Sequence, residues 1–223
     1  MKTMAWPSLR RRSLLALGGG ACVPTWAQDD PWFAAADQGD LAALQRLAAA
    51  GQPIDARNRQ GHTALLVATH RNHIAMAQWL VAQGANVNAQ DAIFDSPYLL
   101  AGARGRLEIL RLTLRAGADL RSVNRFGGTA LIPAAHYGHV EVVRELLKTD
   151  IDVNHVNRLG WTALLEAILL GDGGPAHTEI VRLLLAHGAR PNLPDRDGVT
   201  PLAHARRRGQ GPIVKLLTAA GAR

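Results

Sequence analysis

Histidine offers this chain its widest chemical reach. There are nine, and two pairs, His70/His73 and His136/His139, repeat as H-x-x-H. Such pairs could begin a zinc site, but no clustered cysteine or acidic ligand completes one. The only cysteine, Cys22, lies near the start of the chain. Beyond residue 27 the only serines are Ser96 and Ser122, and neither sits in the G-x-S-x-G of a nucleophile elbow. No G-x-x-x-x-G-K-[ST] phosphate loop is present. Asp172-Gly173-Gly174 opens like a calcium loop but lacks the further oxygens that such a loop needs. Arg206-Arg207-Arg208 is the one basic run outside the first 27 residues. No aromatic platform accompanies it, and it reads as a solvated helix end rather than a nucleic-acid patch. The formal charge of +7 falls to +3 without residues 1–27, at 21 basic against 18 acidic side chains. These residues predict no catalytic group, no cofactor, no metal and no nucleic-acid partner: the chain is not expected to be an enzyme.

The elements that carry these residues repeat. Thr63, Ser96, Thr129 and Thr162 stand 33 residues apart, and Gly51, Gly84, Gly117 and Asp150 keep the same step. A fixed period decides the fold before anything else does. The clearest copy runs from 127 to 154. Thr129 is placed to cap a helix over 130–137, which Gly138 ends. Val140, Val143, Leu146 and Leu147 then give a second helix one apolar stripe. Gly-Ala follows that second helix at 84–85, 117–118, 188–189 and 221–222, as suits a left-handed turn at a helix end. Asn and Asp between the units suit tight turns. One such unit cannot bury its stripe alone, so the copies must stack.

At a 33-residue step, with T-x-L-x-x-A followed by a Gly-His and a Leu-Leu in the clearest copy, the chain resembles the ankyrin repeat. The fold expected is all-α, a solenoid of about six helix-turn-helix repeats with short β-turn or hairpin tips. The repeats fall at about 29–60, 61–93, 94–126, 127–159, 160–197 and 198–223, within a domain spanning 28–223. The first lacks the Thr and opens with Trp32-Phe33, as an end unit does. In the third, Phe94 replaces the turn glycine, and Pro97 falls at the first helical position. Pro133 in the fourth should cost one helical hydrogen bond. In the fifth the step from Thr162 to Thr200 lengthens to 38, which places five extra residues, 172–176, in a loop between the two helices. The family's His after T-x-L is replaced throughout, by Leu66, Leu99, Ile132, Leu165 and Ala203. The resemblance also implies that His73, His139 and His177 brace the loop between the helices.

Residues 1–27 read as a cleavable export segment. Arg10–Arg12 form its charged start, Leu14–Val23 a short apolar stretch, and cleavage is expected before Gln28. Arg11-Arg12-Ser13-Leu14-Leu15 matches a twin-arginine signal except that Arg10 precedes the pair. The mature chain is expected to carry no integral membrane segment and to be a monomer. A lipid anchor on Cys22 is disfavoured by Gly19, which stands where a lipobox wants Leu.

Function is then expected on a surface. The resemblance implies that a partner protein meets the turn tips and the exposed side of the first helices, the concave side. The corresponding positions here are Arg59, His70 and Arg71; Ile93; Arg125, Phe126, His136 and Tyr137; Arg158, Leu159, Trp161, Leu169 and Leu170; and Arg207 and Arg208. Aromatic anchors beside arginines are the composition of interface hot spots. The chain is similar to bacterial periplasmic ankyrin proteins, some of which are associated with catalase and peroxide resistance. That implies a protein-binding module in the periplasm, with oxidative-stress protection as an expectation from resemblance alone. Metal handling or a small enzymatic activity on the stack, or a lipid-anchored scaffold, are the alternative readings.

Overall fold

The computed structural model describes residues 30–223. Residues 1–27, expected as an export segment, the expected cleavage point and Cys22 lie outside the described residues. Twelve helices follow in six pairs: α1 Pro31–Gln38 and α2 Leu41–Ala49; α3 Ala64–Arg71 and α4 Ile74–Ala82; α5 Pro97–Ala103 and α6 Leu107–Arg115; α7 Leu131–His136 and α8 Val140–Leu146; α9 Ala163–Leu169 and α10 Pro175–Ala186; α11 Pro201–Arg207 and α12 Gly211–Ala219. Odd-numbered helices pack on the next odd-numbered helix all along the chain. Even-numbered helices do the same from α4 onward. The result is a two-layer solenoid whose core is continuous from Trp32 and Phe33 in α1 to Leu217 in α12. Both aromatic side chains of the atypical first repeat are buried.

The first helix of a repeat starts on its Thr or Ser. The hydroxyls of Thr63, Ser96, Thr162 and Thr200 accept from the backbone N–H three residues on, at 3.2 to 3.3 Å. In the same four copies the cap carbonyl accepts the N–H four residues on, as in Glu166 N to Thr162 O at 2.9 Å. The fourth repeat departs from this. Thr129 Oγ1 is buried without a partner, and α7 starts late, at Leu131. Pro133 is the reason. It has no N–H to give the Thr129 carbonyl, which accepts instead from Ile132 at 3.2 Å. That is the N–H the hydroxyl would have used. The copy that reads best in sequence is therefore the one whose cap is not made.

A column of side chains ties each repeat to the one before it. His73 Nε2 donates to the Asp37 carbonyl at 2.9 Å, and His177 Nε2 to the His136 carbonyl at 2.8 Å. His139 bonds the Ala103 carbonyl. The expected histidine brace is thus present, and two other residue types share it. Arg106 reaches the His70 carbonyl at 3.5 Å, and Gln210 the Ile168 carbonyl at 3.1 Å.

The extra residues of the fifth repeat are not wholly a loop. Only 172–174 are irregular; Pro175 and Ala176 extend the start of α10 to make it twelve residues long. Asp172 Oδ1 accepts from Gly174 N and from His177 Nδ1, both at 2.8 Å. The Asp-Gly-Gly run thus seats the bracing histidine.

Phe94 carries a cost. Its φ is +65°, whereas the matching tip positions are Gly61, Gly127, Gly160 and Gly198. A side chain in the left-handed region meets its own backbone, and Phe94 recovers little by burial, being 53% exposed. Phe94→Gly is expected to raise stability by about 0.5–1 kcal/mol, or about 2 °C in Tm. A thermal melt checks it, and an unchanged or lowered Tm would show that Phe94 packs usefully on its neighbours.

Candidate functional site

The tips are built by one side chain each. Asn58, Asp91, Asn124, Asn157 and Asp195 each accept, through Oδ1, the N–H groups two and four residues on, at 2.9 to 3.1 Å. Each also donates its own N–H to the carbonyl four residues on. This closes a five-residue turn with a left-handed residue in fourth place. The second and third residues of every tip stay exposed: Arg59-Gln60, Ala92-Ile93, Arg125-Phe126, Arg158-Leu159 and Arg196-Asp197. Sequence reasoning saw turn formers here without assigning this closure. The signal was available, because the five Asn/Asp positions keep the period of the repeat, including the 38-residue step.

Neighbouring tips hold one another. Ala92 N donates to Gln60 O at 3.1 Å and Arg158 N to Phe126 O at 2.8 Å. Arg158 Nη1 reaches the Arg125 carbonyl at 3.1 Å, and Arg196 donates to the Arg158 carbonyl. These guanidinium groups bond to backbone oxygens, and no carboxylate pairs with them among the described residues. Exposed apolar groups stand between them: Ile93, Phe94, Phe126 and Leu159, with Tyr137 and Leu170 at the ends of the first helices. Phe94 was not among the expected contact residues. Arg125 lies over the Phe126 ring at 4.8 Å. Tyr137 stacks on His136, with centroids 4.2 Å apart.

The structure separates the other expected residues by exposure. Arg59, Arg71, Arg207 and Arg208 are exposed; His70, His136, Trp161 and Leu169 are half-buried. Arg71 is engaged by Asp37, and Arg208 Nη2 donates to the Gly171 carbonyl at 3.1 Å. Trp161 offers its backbone to the Asn157 turn and presents only part of its side chain.

One cleft of about 430 Å³ opens on this surface, lined by His62, His70, Arg71, Asp91, Ile93, Asp95, Arg104 and Arg125. Burial pushes His70 down to about 4, helped by His62 and Arg104, so the ring is neutral at ordinary pH. Burial raises Asp95, and the nearby Asp91 adds to the rise. The H-x-x-H pairs do not converge. His73 faces the Asp37 carbonyl, while His70 lies 6.1 Å from His62, ring to ring. His136 lies against Tyr137 and Glu166, while His139 bonds the Ala103 carbonyl. Among the described residues no group of three His, Cys, Asp or Glu side chains is arranged to hold a metal ion. No helix among them is long and apolar enough to cross a membrane.

A second cluster lies under the fourth tip, that of Asn157. Asn157 Nδ2 donates to Glu166 Oε1 at 2.9 Å, both side chains being buried. His136 Nδ1 is 3.7 Å from Glu166 Oε2. Burial raises the carboxyl to about 7, with Asn157 opposing the rise, and burial lowers the imidazole. At pH 7 the carboxyl is then about half ionised and the imidazole mostly neutral, so the contact is not a standing ion pair. In the sixth repeat His204 takes the same place and bonds Asp195 Oδ2 at 2.6 Å. Position four of the first helix thus supports the turn residue of its own tip in both repeats.

Comparison with known proteins agrees with this architecture. A family model for ankyrin repeats in three copies matches residues 98–195, and one for ankyrin repeats in many copies matches 32–81 and 175–218. The crystal structure of an ankyrin repeat domain from Acinetobacter baumannii AYE is 57% identical, with a TM-score of 0.83, over 86% of this chain and 98% of that one. The ankyrin repeat domain of Bcl-3, described as a unique member of the IkappaB protein family, is 30% identical with a TM-score of 0.78, over 88% of each chain. Ankyrin repeat protein YahD of Escherichia coli (strain K12) is 58% identical over 57 residues. That match spans only 26% of this chain and 28% of YahD. The chain belongs to the ankyrin-repeat family. Ankyrin repeats are generally protein-interaction modules, and the fold is typically non-enzymatic.

Proposed function

We propose that this chain is a protein-binding module exported to the bacterial periplasm, which engages a partner protein through the tips and first-helix ends of repeats two to six. The observation that carries this reading is the exposed row of Ile93, Phe126 and Leu159 interleaved with Arg125, Arg158 and Arg196, all on rigidly closed turns. Apolar anchors flanked by arginine are what partner surfaces select. Pre-closed tips also lower the ordering cost of binding. The export segment supports the periplasmic assignment, by the twin-arginine route. A role in oxidative-stress protection follows from the resemblance to periplasmic ankyrin proteins.

The test is site-specific photo-crosslinking in periplasmic extract, with the reactive group at Leu159 in one variant and at Glu108, on the second-helix face, in another. A discrete adduct from the first and none from the second is expected. It should be lost in Phe126→Ala, whose melt should be unaltered. Adducts from Glu108 alone would place the interface on the other layer. Recovery of the protein from the cytoplasm with residues 1–27 attached would refute the export reading.

A further inference from the structure

The two layers of the solenoid carry their charge differently. On the second helices all four carboxylates are paired, and Arg46, Arg115 and Lys215 are left without one among the described residues. Arg111 pairs with Glu108 at 3.0 Å and Glu145 at 3.2 Å, Arg144 with Glu141 at 3.4 Å and Glu179 at 3.1 Å, Lys148 with Glu145 at 3.0 Å and Arg182 with Glu179 at 2.6 Å. On the tip side Arg104, Arg158, Arg196 and Arg207 form no close ion pair among the described residues, although Arg104 acts on Asp95 across the cleft. The acids on that side are mostly spent. Asp91 and Glu166 are buried, Asp95 faces Arg125 at 3.5 Å, and Asp37 is held by Arg71. Asp197, at the last tip, is the exposed exception. The half-buried histidines His70 and His136 have lowered pKa values and add little positive charge. What remains is a track of guanidinium groups separated by Ile93, Phe94, Phe126 and Leu159.

We infer that the occupant of this track is an acidic polypeptide segment bearing aliphatic or aromatic side chains, lying across the tips of repeats three to six. Its carboxylates meet Arg104, Arg158 and Arg196, and its apolar groups cover the Ile93–Phe94 and Phe126–Leu159 exposures. This rests on the protein-binding reading and narrows it to a class of partner. Charge complementarity of this kind sets partner choice and association rate, and guanidinium forks match carboxylates. Nucleic acid fits less well. A phosphate chain leaves Ile93 and Leu159 uncovered. Of the exposed rings, Phe126 already lies under Arg125 and Tyr137 against His136, which leaves Phe94 rather than a run of rings for successive bases.

The experiment is selection of a displayed random twelve-residue peptide library on the full-length chain. Enriched peptides are expected to carry net negative charge and at least one Leu, Ile, Phe or Trp. Their affinity should fall about tenfold or more in Arg158→Gln/Arg196→Gln, consistent with close charge pairs at an interface. It should also weaken with salt and stay unchanged in Arg144→Gln on the other layer. Thermal melts establish that each variant is folded. Enrichment of neutral or basic sequences, no enrichment, or peptides indifferent to the two arginine changes would overturn the inference. So would displacement of the selected peptides by an equally charged single-stranded oligonucleotide at lower concentration, which would point to nucleic acid. A crosslinked partner that the selected peptides fail to displace would sink the acidic-segment inference and leave the protein-binding reading standing. No crosslinked partner at all would remove that reading itself.

Discussion

Gly171→Ala is expected to destabilise the protein by about 3 kcal/mol, the upper end for overpacking a well-filled site. In a chain of this length that is about 6–12 °C in Tm. A Cβ at Gly171 would lie 2.2 Å from the Ala167 carbonyl oxygen and 2.4 Å from the His177 ring. Neither neighbour can yield cheaply. The carbonyl belongs to the last turn of α9. The ring is pinned at both ends, by Asp172 at 2.8 Å and by the His136 carbonyl at 2.8 Å. Displacing it would cut the brace between repeats four and five. Stability in a repeat array is a sum of units and their interfaces, so the loss should be felt first at the C-terminal end. Faster amide exchange in α11 and α12 than in α3 and α4 would locate it there. Gly138→Ala makes the comparison: at that site the nearest atom is His177 at 3.4 Å, and φ is +76°, so backbone strain of about 1 kcal/mol is the main cost. Equal losses from the two variants would mean that the ring at 171 moves aside.

Gly171 also shows what a repeat hides. It aligns with Asn72, Gly105, Gly138 and Gly209, all with positive φ, and reads in sequence as the same helix-ending residue. The inserted residues divide that role in two. Gly173 takes the left-handed turn, and Gly171 is needed for space. The fold was legible because period, caps and helix stripes agree with one another. The brace was half legible. His73, His139 and His177 match the family's residue type, but Arg106 and Gln210 make the same link with different chemistry. The Thr129 cap was misread for the opposite reason: the residue type was right, and Pro133 took away its partner. At the candidate surface the register located the tips, but it could not say that Trp161 would be half-buried and Phe94 exposed. Those outcomes depend on how neighbouring turns pack, which periodicity does not encode.

Stability should fall as pH rises from 5 to 8.5 by about 2–3 kcal/mol more in the native protein than in Glu166→Gln. Glu166 sits among the helices of the fifth repeat, its carboxyl raised from the ordinary 4.5 to about 7 chiefly by burial, with Asn157 partly opposing. A carboxyl with a raised folded pKa holds its proton more tightly in the native state. Below about pH 4.5 it is protonated in both states and the shift contributes nothing. Between about 4.5 and 7 the unfolded chain ionises first and is favoured. Above about 7 both states are charged, and the full desolvation cost of about 3 kcal/mol is present. Glutamine keeps an acceptor for the Asn157 amide and cannot ionise, so the variant isolates this contribution. His136, 3.7 Å away, acts in the opposite direction. Burial lowers its pKa, so it destabilises the native state as pH falls below its unfolded value. That slope should persist in Glu166→Gln. The measurement is urea unfolding of both proteins at pH 5, 7 and 8.5. Parallel pH dependences would mean that Glu166 is charged in the folded protein across the range, held by His136 as an ion pair. Divergence of the expected sign would show that the Asn157 turn, and with it the exposed Arg158-Leu159 tip, rests on a buried carboxyl that destabilises the fold when it ionises above about pH 7.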